Sequence, residues 1–224
     1  RKVIGAEALV RWNHPTLGVI SPAVFIPVLE SNGYITKLDQ YIWEKVCQLI
    51  RQWVDQGIRP VPISVNVTKT DVLAMDVADF FKDMLKKYRI PPKHLEIDVS
   101  GSAYLEAYGV LKDAVARLQQ AGFRVILDGF DGDYIKLSSA GEIGIDQLKL
   151  NLRSENLEDK LEVLPAVFNQ ARTLRLNLLA EGIESMEQLT MLRKCGCTEG
   201  QGYFFSRPLS VAEFEKNLKV GQNG

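Results

Sequence analysis

Three cysteines, Cys47, Cys195 and Cys197, are all that a chain of 224 residues contains. So odd and sparse a set excludes a disulfide framework and points to a reducing compartment. The expected location is the cytoplasm, alone or as the cytoplasmic module of a membrane receptor. Cys195-Gly196-Cys197 has no second Cys or His cluster to complete a tetrahedral site, and His14 and His94 stand far apart in sequence. Zinc is therefore set aside and the thiols are read as free. Charge of one sign is lacking too. A net charge of −1 removes the bulk electrostatic case for binding a DNA or RNA polymer or an anionic membrane. No apolar run approaches the ~20 residues that cross a bilayer, and no signal-peptide pattern is present, so this segment is not expected to insert into a membrane. A glycine-rich phosphate fingerprint after the first strand is also missing, which argues against a dinucleotide-binding doubly wound sheet. Without linker, low-complexity stretch or internal repeat, residues 1–224 read as one domain.

What is present is an alternation of strands and amphipathic helices. Residues 3–12 read as a strand, with His14-Pro15 and Gly18 as a turn and Ser21-Pro22 as a helix start. Residues 35–53 carry apolar side chains at helical spacing and stop at Gly57. A strand at 61–67, a helix at 71–88 and a strand at 94–99 follow. A helix then runs to Gln120, and the strand 125–127 ends on Asp128. The remaining units are strands at 147–150, 176–180 and 200–205, with helices at 161–174, 186–194 and 211–218. Such alternation predicts a parallel α/β sheet. Seven strands are legible, one short of a closed (β/α)8 barrel.

The strand ends carry the chemistry. In order they offer Glu7, Asn66, Glu96, Asp128, Lys149, Glu181 and Gln201. A parallel barrel turns the carboxyl ends of its strands to one mouth, so these groups would converge. Alternation also puts Leu9 and Arg11 on the Glu7 face, either as a local Glu–Arg pair or as contacts to a cation and a phosphate. Four acids beside an amide oxygen cannot all stay ionised together without a cation, and hard oxygen donors select Mg²⁺, Mn²⁺ or Ca²⁺ over zinc.

Glu7-Ala8-Leu9, within the segment 5–12, resembles the signature of EAL domains, the cyclic-di-GMP phosphodiesterases. The resemblance covers essentially the whole chain. It includes His14-Pro15, Phe25-Ile26-Pro27, Ser64-Val65-Asn66, Leu95-Glu96-Ile97, Leu148-Lys149, Ala180-Glu181-Gly182-Ile183-Glu184, Gln201-Gly202-Tyr203 and Ser206-Arg207-Pro208-Leu209. It implies a modified (β/α)8 TIM-like barrel, here lacking the family's first helix and strand. It also implies a larger signalling protein with an adjacent GGDEF or sensor domain, and a homodimer. Glu7, Asn66, Glu96 and Asp128 would hold Mg²⁺ or Mn²⁺, with Ca²⁺ as an inhibitory substitute. Lys149 and Glu181 would be catalytic, orienting or activating the water that opens cyclic-di-GMP to pGpG. Leu9, Arg11, Gln201 and Glu184 would serve the substrate.

Three departures qualify that implication. The family's two adjacent aspartates read Asp128-Gly129 here, so a second-metal carboxylate is missing, and Ile135-Lys136 stand where two serines are common. The family's Glu-Xaa-Thr-Glu segment reads Glu96-Ile97-Asp98-Val99, with Val99 in place of a loop-anchoring Glu. Asp98, Asp131 and Asp133 are the carboxylates available to stand in. The third departure is the absent first strand, to be supplied by an upstream segment, a partner or a neighbouring chain. The favoured reading is a cyclic-di-GMP domain with hydrolysis weakened or lost and nucleotide binding retained. A fully active phosphodiesterase and an interaction module without nucleotide are the alternatives.

Overall fold

Apolar residues at alternate positions, Val65 and Val67, Ile97 and Val99, Val125 and Leu127, Leu148 and Leu150, Leu178 and Ala180, give five strands a fully buried outer face. The structure is a computed structural model that describes residues 2–101, 107–130, 140–152 and 157–222, with the backbone only for 157–162 and 220–222. Counted in chain order, the strands are β1 (Ala6–Glu7), β2 (Trp12–His14), β3 (Gly18–Ile20), β4 (Ile63–Val67), β5 (Leu95–Val99), β6 (Arg124–Phe130), β7 (Gln147–Asn151), β8 (Asn177–Glu181) and β9 (Glu199–Gly200). Seven of them form one parallel sheet in the order β1-β4-β5-β6-β7-β8-β9, while β2 and β3 pair antiparallel in a hairpin.

The helices are α1 (Pro22–Ser31), α2 (Ile35–Asp55), α3 (Lys69–Ala74), α4 (Val77–Tyr88), α5 (Tyr108–Gln120), α6 (Leu157–Thr173), α7 (Met186–Lys194) and α8 (Val211–Gln222). Their apolar stripes cover the outer face of the sheet. Trp43, Ile50 and Trp53 of α2, Phe81 of α4, Leu111, Val115 and Leu118 of α5 and Phe168 of α6 share one core with the outward residues of the strands. Ile126 is just as buried but stands apart from that core, on the inner face. The sheet curls into a half-barrel, and side chains complete the ring: Gln201, just beyond β9, donates through Nε2 to Glu7 of β1 at 3.0 Å.

Several boundaries differ from the sequence reading, each for a local reason. The strand over 3–12 shrinks to Ala6–Glu7 because Trp12–His14 turns away to pair with Gly18–Ile20. His14 Nδ1 accepts from the amides of Thr16 and Leu17, which closes that hairpin. The single helix over 71–88 is two helices. Thr68 and Asp71 form a capping box at the start of α3, and Asp76 caps α4 by accepting from the Asp79 amide at 3.0 Å. His94 belongs to a 3₁₀ turn before β5. β6 continues past Asp128 to Phe130, with a register shift between Leu127 and Phe130 where Gly129 takes φ +74°. The expected strand over 200–205 is only Glu199–Gly200. Gly202 lies so close to the Ile183 backbone that a Cβ would meet it at 2.2 Å, and the chain turns there instead.

Candidate active site

Glu7 is the hub of the mouth. Its Oε1 accepts from Asn66 Nδ2 at 3.3 Å, and its Oε2 from Lys149 Nζ at 2.8 Å and Gln201 Nε2 at 3.0 Å. The same Gln201 amide reaches Glu181 Oε2 at 3.1 Å. Lys149 also forms an ion pair with Asp98. Residues from β1, β4, β5, β7 and β8 and from the segment after β9 are thereby drawn to one place, as inward alternation on curled parallel strands requires. Lys149 lies mid-strand in β7 rather than at its end, only 1% exposed, and its length carries the ammonium up to Glu7.

The electrostatics show acid in excess of base. Burial works against the charge on Lys149, but the carboxylates of Asp98 and Glu7 reverse that and hold the ammonium protonated well above its usual range. Glu7 is likewise desolvated, yet Lys149 and the Gln201 and Asn66 amides bring it below the ordinary carboxylate value. Asp98 goes the other way. Burial raises it, Lys149 only partly offsets this, and the Asp128 and Glu7 charges add to the rise. Glu181 is raised by burial and by Asp128. One ammonium thus serves four acids, and Asp98 Oδ1 is buried without a hydrogen-bond partner.

One member of the expected metal set stands apart from the others. Glu96 does not reach this cluster; it pairs with Arg124, its register neighbour on β6, at 3.2 Å. Asp98, two residues nearer the mouth on the same face of β5, stands opposite Asn66 and beside Lys149. The signal was present in the sequence, since Glu96 and Asp98 share a face, but only the side-chain contacts of the folded chain say which of them reaches the Lys149 that also holds Glu7. Asp128 lies at the β6 bulge, its Oδ1 accepting from the Gly129 amide at 2.6 Å, and its charge acts on both Asp98 and Glu181. Val99 is buried in the helix-facing core. It is Gly101 whose Cβ position falls 3.1 Å from the Asp128 carbonyl oxygen. Asp131 and Asp133, with Ile135 and Lys136, lie outside the described residues.

Leu9 and Arg11 are exposed on the segment between β1 and the hairpin, and Arg11 Nη1 donates to the Val10 carbonyl. Glu184 sits in the turn before α7, where its amide donates to Gln188 Oε1. Among the described residues no three acidic side chains already close on one point, and the Lys149 ammonium stands between Glu7 and Asp98. The donor set nevertheless fits a hard divalent cation. It consists of oxygens, its acids outnumber the one ammonium among the described residues, and one buried carboxylate oxygen is unclaimed.

A curled parallel seven-strand sheet with helices on its outer face and an acid-rich mouth defines a TIM-barrel-like α/β domain. The EAL domain model matches residues 1–208, and the chain belongs to that family. It is 29% identical over 216 residues to the bifunctional diguanylate cyclase/cyclic di-GMP phosphodiesterase MucR of Pseudomonas aeruginosa, covering 94% of this chain and 31% of that protein. To the cyclic di-GMP phosphodiesterase NbdA of the same organism it is 30% identical over 218 residues, covering 96% of this chain and 28% of that protein. The PaMucR phosphodiesterase in its c-di-GMP complex superimposes with a TM-score of 0.85 at 28% identity, covering 94% of this chain and 87% of that one. The chain therefore spans less than a third of the length of these curated relatives.

Proposed function

We propose that this domain binds cyclic-di-GMP at the barrel mouth and hydrolyses it weakly or not at all. The observation that carries the reading is the mouth itself: Glu7, Asn66, Asp98, Lys149, Glu181 and Gln201 are joined in one network, while Gly129 follows Asp128 where a second carboxylate would stand. Glu7, Asn66, Asp98 and Asp128 would hold Mg²⁺ or Mn²⁺, with Asp98 taking the place expected of Glu96. When bound, such a cation supplies Lewis-acid stabilisation of charge on the phosphoryl oxygens. Glu181, raised above the ordinary carboxylate range, is suited to take the proton from a water attacking phosphorus. Lys149 holds Glu7 and Asp98 in place and contributes positive charge next to the attacked phosphate. Arg11, exposed and held to the Val10 carbonyl, would turn its guanidinium to a phosphate, with Leu9 nearby for the base or ribose. Missing one carboxylate, the site has a weak hold on a second ion, and two ions about 3.5–4 Å apart are what stabilise both attacking and leaving oxygens in such displacements.

Support from the relatives is of one kind: MucR and NbdA carry cyclic di-GMP phosphodiesterase in their names, and PaMucR was solved with c-di-GMP. As in MucR, whose name joins a diguanylate cyclase to a phosphodiesterase, the whole protein would place this domain beside a second signalling domain. The test is calorimetry with cyclic-di-GMP, with and without Mn²⁺, run alongside chromatography for pGpG. Binding with little product is expected. Rapid conversion to pGpG would establish the fully active phosphodiesterase instead, a reading favoured by the intact Lys149 and Glu181. No binding under either condition would leave an interaction module.

A further inference from the structure

We propose that Asp39 of α2 and Asp71 of α3 share one proton, and that this acid–carboxylate bond ties α2 to the turn that follows Asn66. Both side chains are buried, at 7% and 0% exposure, and they lie within hydrogen-bonding reach of each other. Asp71 Oδ2 is already committed, accepting from the Thr68 amide at 2.8 Å and from its hydroxyl at 2.7 Å. That leaves Asp71 Oδ1 and Asp39 Oδ2, both buried and both without a hydrogen-bond partner. Two ionised carboxylates have acceptors only, so they repel; a single proton converts one into a donor and satisfies both oxygens.

The surroundings favour the proton. Glu30, near the end of α1, adds further negative charge to Asp39. β4 carries no titratable side chain, and the α4 groups reaching α2, Lys87 and Tyr88, are spent on Glu44. Lys69 is the cation of α3, two residues before Asp71. Burial first, then Asp71, pushes the Asp39 carboxyl up from 3.8 to about 8.

The position of the pair gives it a use. Trp43, one turn along α2 from Asp39, donates Nε1 to the Asn66 carbonyl at 2.9 Å. Thr68, held by Asp71, is two residues beyond Asn66. α2 therefore grips the Asn66 segment at two points, one of them dependent on a proton. Asp39 is thus a positioning residue for Asn66, a role that rests on the reading of Asn66 as part of the site. Because the folded-state value is raised, the stabilisation is complete below the unfolded value and is lost as pH rises through about 8.

The whole 224-residue chain, kept in a chelator, is unfolded with urea from pH 5.5 to 9 as wild type and as Asp39→Asn, whose amide still donates to Asp71 but does not titrate. Wild-type stability should fall relative to the variant as pH rises, with the difference largest near pH 9. Carbon NMR of labelled aspartate should show, besides the raised carboxyl of Asp98, one titrating near pH 8 that Asp39→Asn removes; Asp71→Asn should return it to the ordinary range. Parallel stability curves, or no such resonance lost, would overturn the shared proton, and the NMR arm decides even if a variant folds poorly. Mn²⁺ titrations at pH 6.5 and 8.8 address the positioning role. The affinity of wild type relative to Asp39→Asn should drop severalfold at the higher pH, and a constant ratio would overturn that role. Absence of Mn²⁺ binding in every variant marks failure of the site reading alone, with the proton still judged by NMR.

Discussion

Glu96 and Asp98 lie two residues apart on one face of β5, about 6.6 Å along the strand, and over that distance one carboxylate pairs with Arg124 and the other with Lys149. Asp98→Asn should weaken Mn²⁺ binding by at least about tenfold, since a hard cation loses a charged oxygen. Glu96→Gln should leave the affinity nearly unchanged; calorimetry on the two variants checks both, and the reverse order would restore Glu96 to the site. Gly129 calls for a second argument at this scale. A Cβ there meets nothing within 4 Å, but φ is +74°, so Gly129→Asp should lose about 1 kcal/mol in urea unfolding through backbone strain rather than crowding. If the missing carboxylate limits chemistry, the same variant should form pGpG faster than wild type. Adding Val99→Glu should not help. Val99 is 1% exposed on the core side, and an ionised group buried there without a partner should unfold the domain at room temperature, as circular dichroism would show.

α2 connects the core to the mouth. Trp43 is fully buried against Phe80 and Phe81, and its one polar atom serves the Asn66 carbonyl. Trp43→Phe keeps most of the apolar contact but orphans that carbonyl, so a loss of about 1–3 kcal/mol is expected, together with weaker Mn²⁺ binding. A loss of stability with unchanged metal affinity would show that α2 does not position Asn66. The break between α3 and α4 has a smaller effect. Asp76→Ala removes the cap of α4 and should cost about 1 kcal/mol by chemical denaturation, without altering the site.

At the scale of the molecule, the half-barrel gathers acids that the chain scatters over almost its whole length. Lys149 joins Glu7 across 142 positions, and Gln201 joins Glu7 across 194. A cation bound to the folded state alone stabilises it by mass action, about 2.7 kcal/mol at a hundred times its dissociation constant. Adding Mn²⁺ should therefore raise the thermal midpoint, and EDTA should return it to the metal-free value. A midpoint indifferent to both would argue that the mouth relies on Lys149 alone for charge balance.

Much of the fold could be read in one dimension because its signals are local. Alternation of Val, Ile and Leu over 63–67, 95–99 and 147–151 defines buried strands, and helical spacing over 35–53 with Gly57 beyond it defines α2. The family signature around Glu7 was legible in the same way, as was the convergence of Asn66, Lys149, Glu181 and Gln201 on one mouth. Local competition hid other features. An Asp76 side chain that caps a helix also splits a periodic stretch, and Gly202 against Ile183 ends a strand that composition alone would continue. Sequence by itself determined which residues point inward, since alternation is a property of a single strand. Tertiary structure alone decided which residues meet, Asp98 rather than Glu96 at the Lys149 that holds Glu7 and Asp39 against Asp71, because reach across a barrel depends on how its strands tilt and curl and burial depends on what packs from elsewhere in the chain.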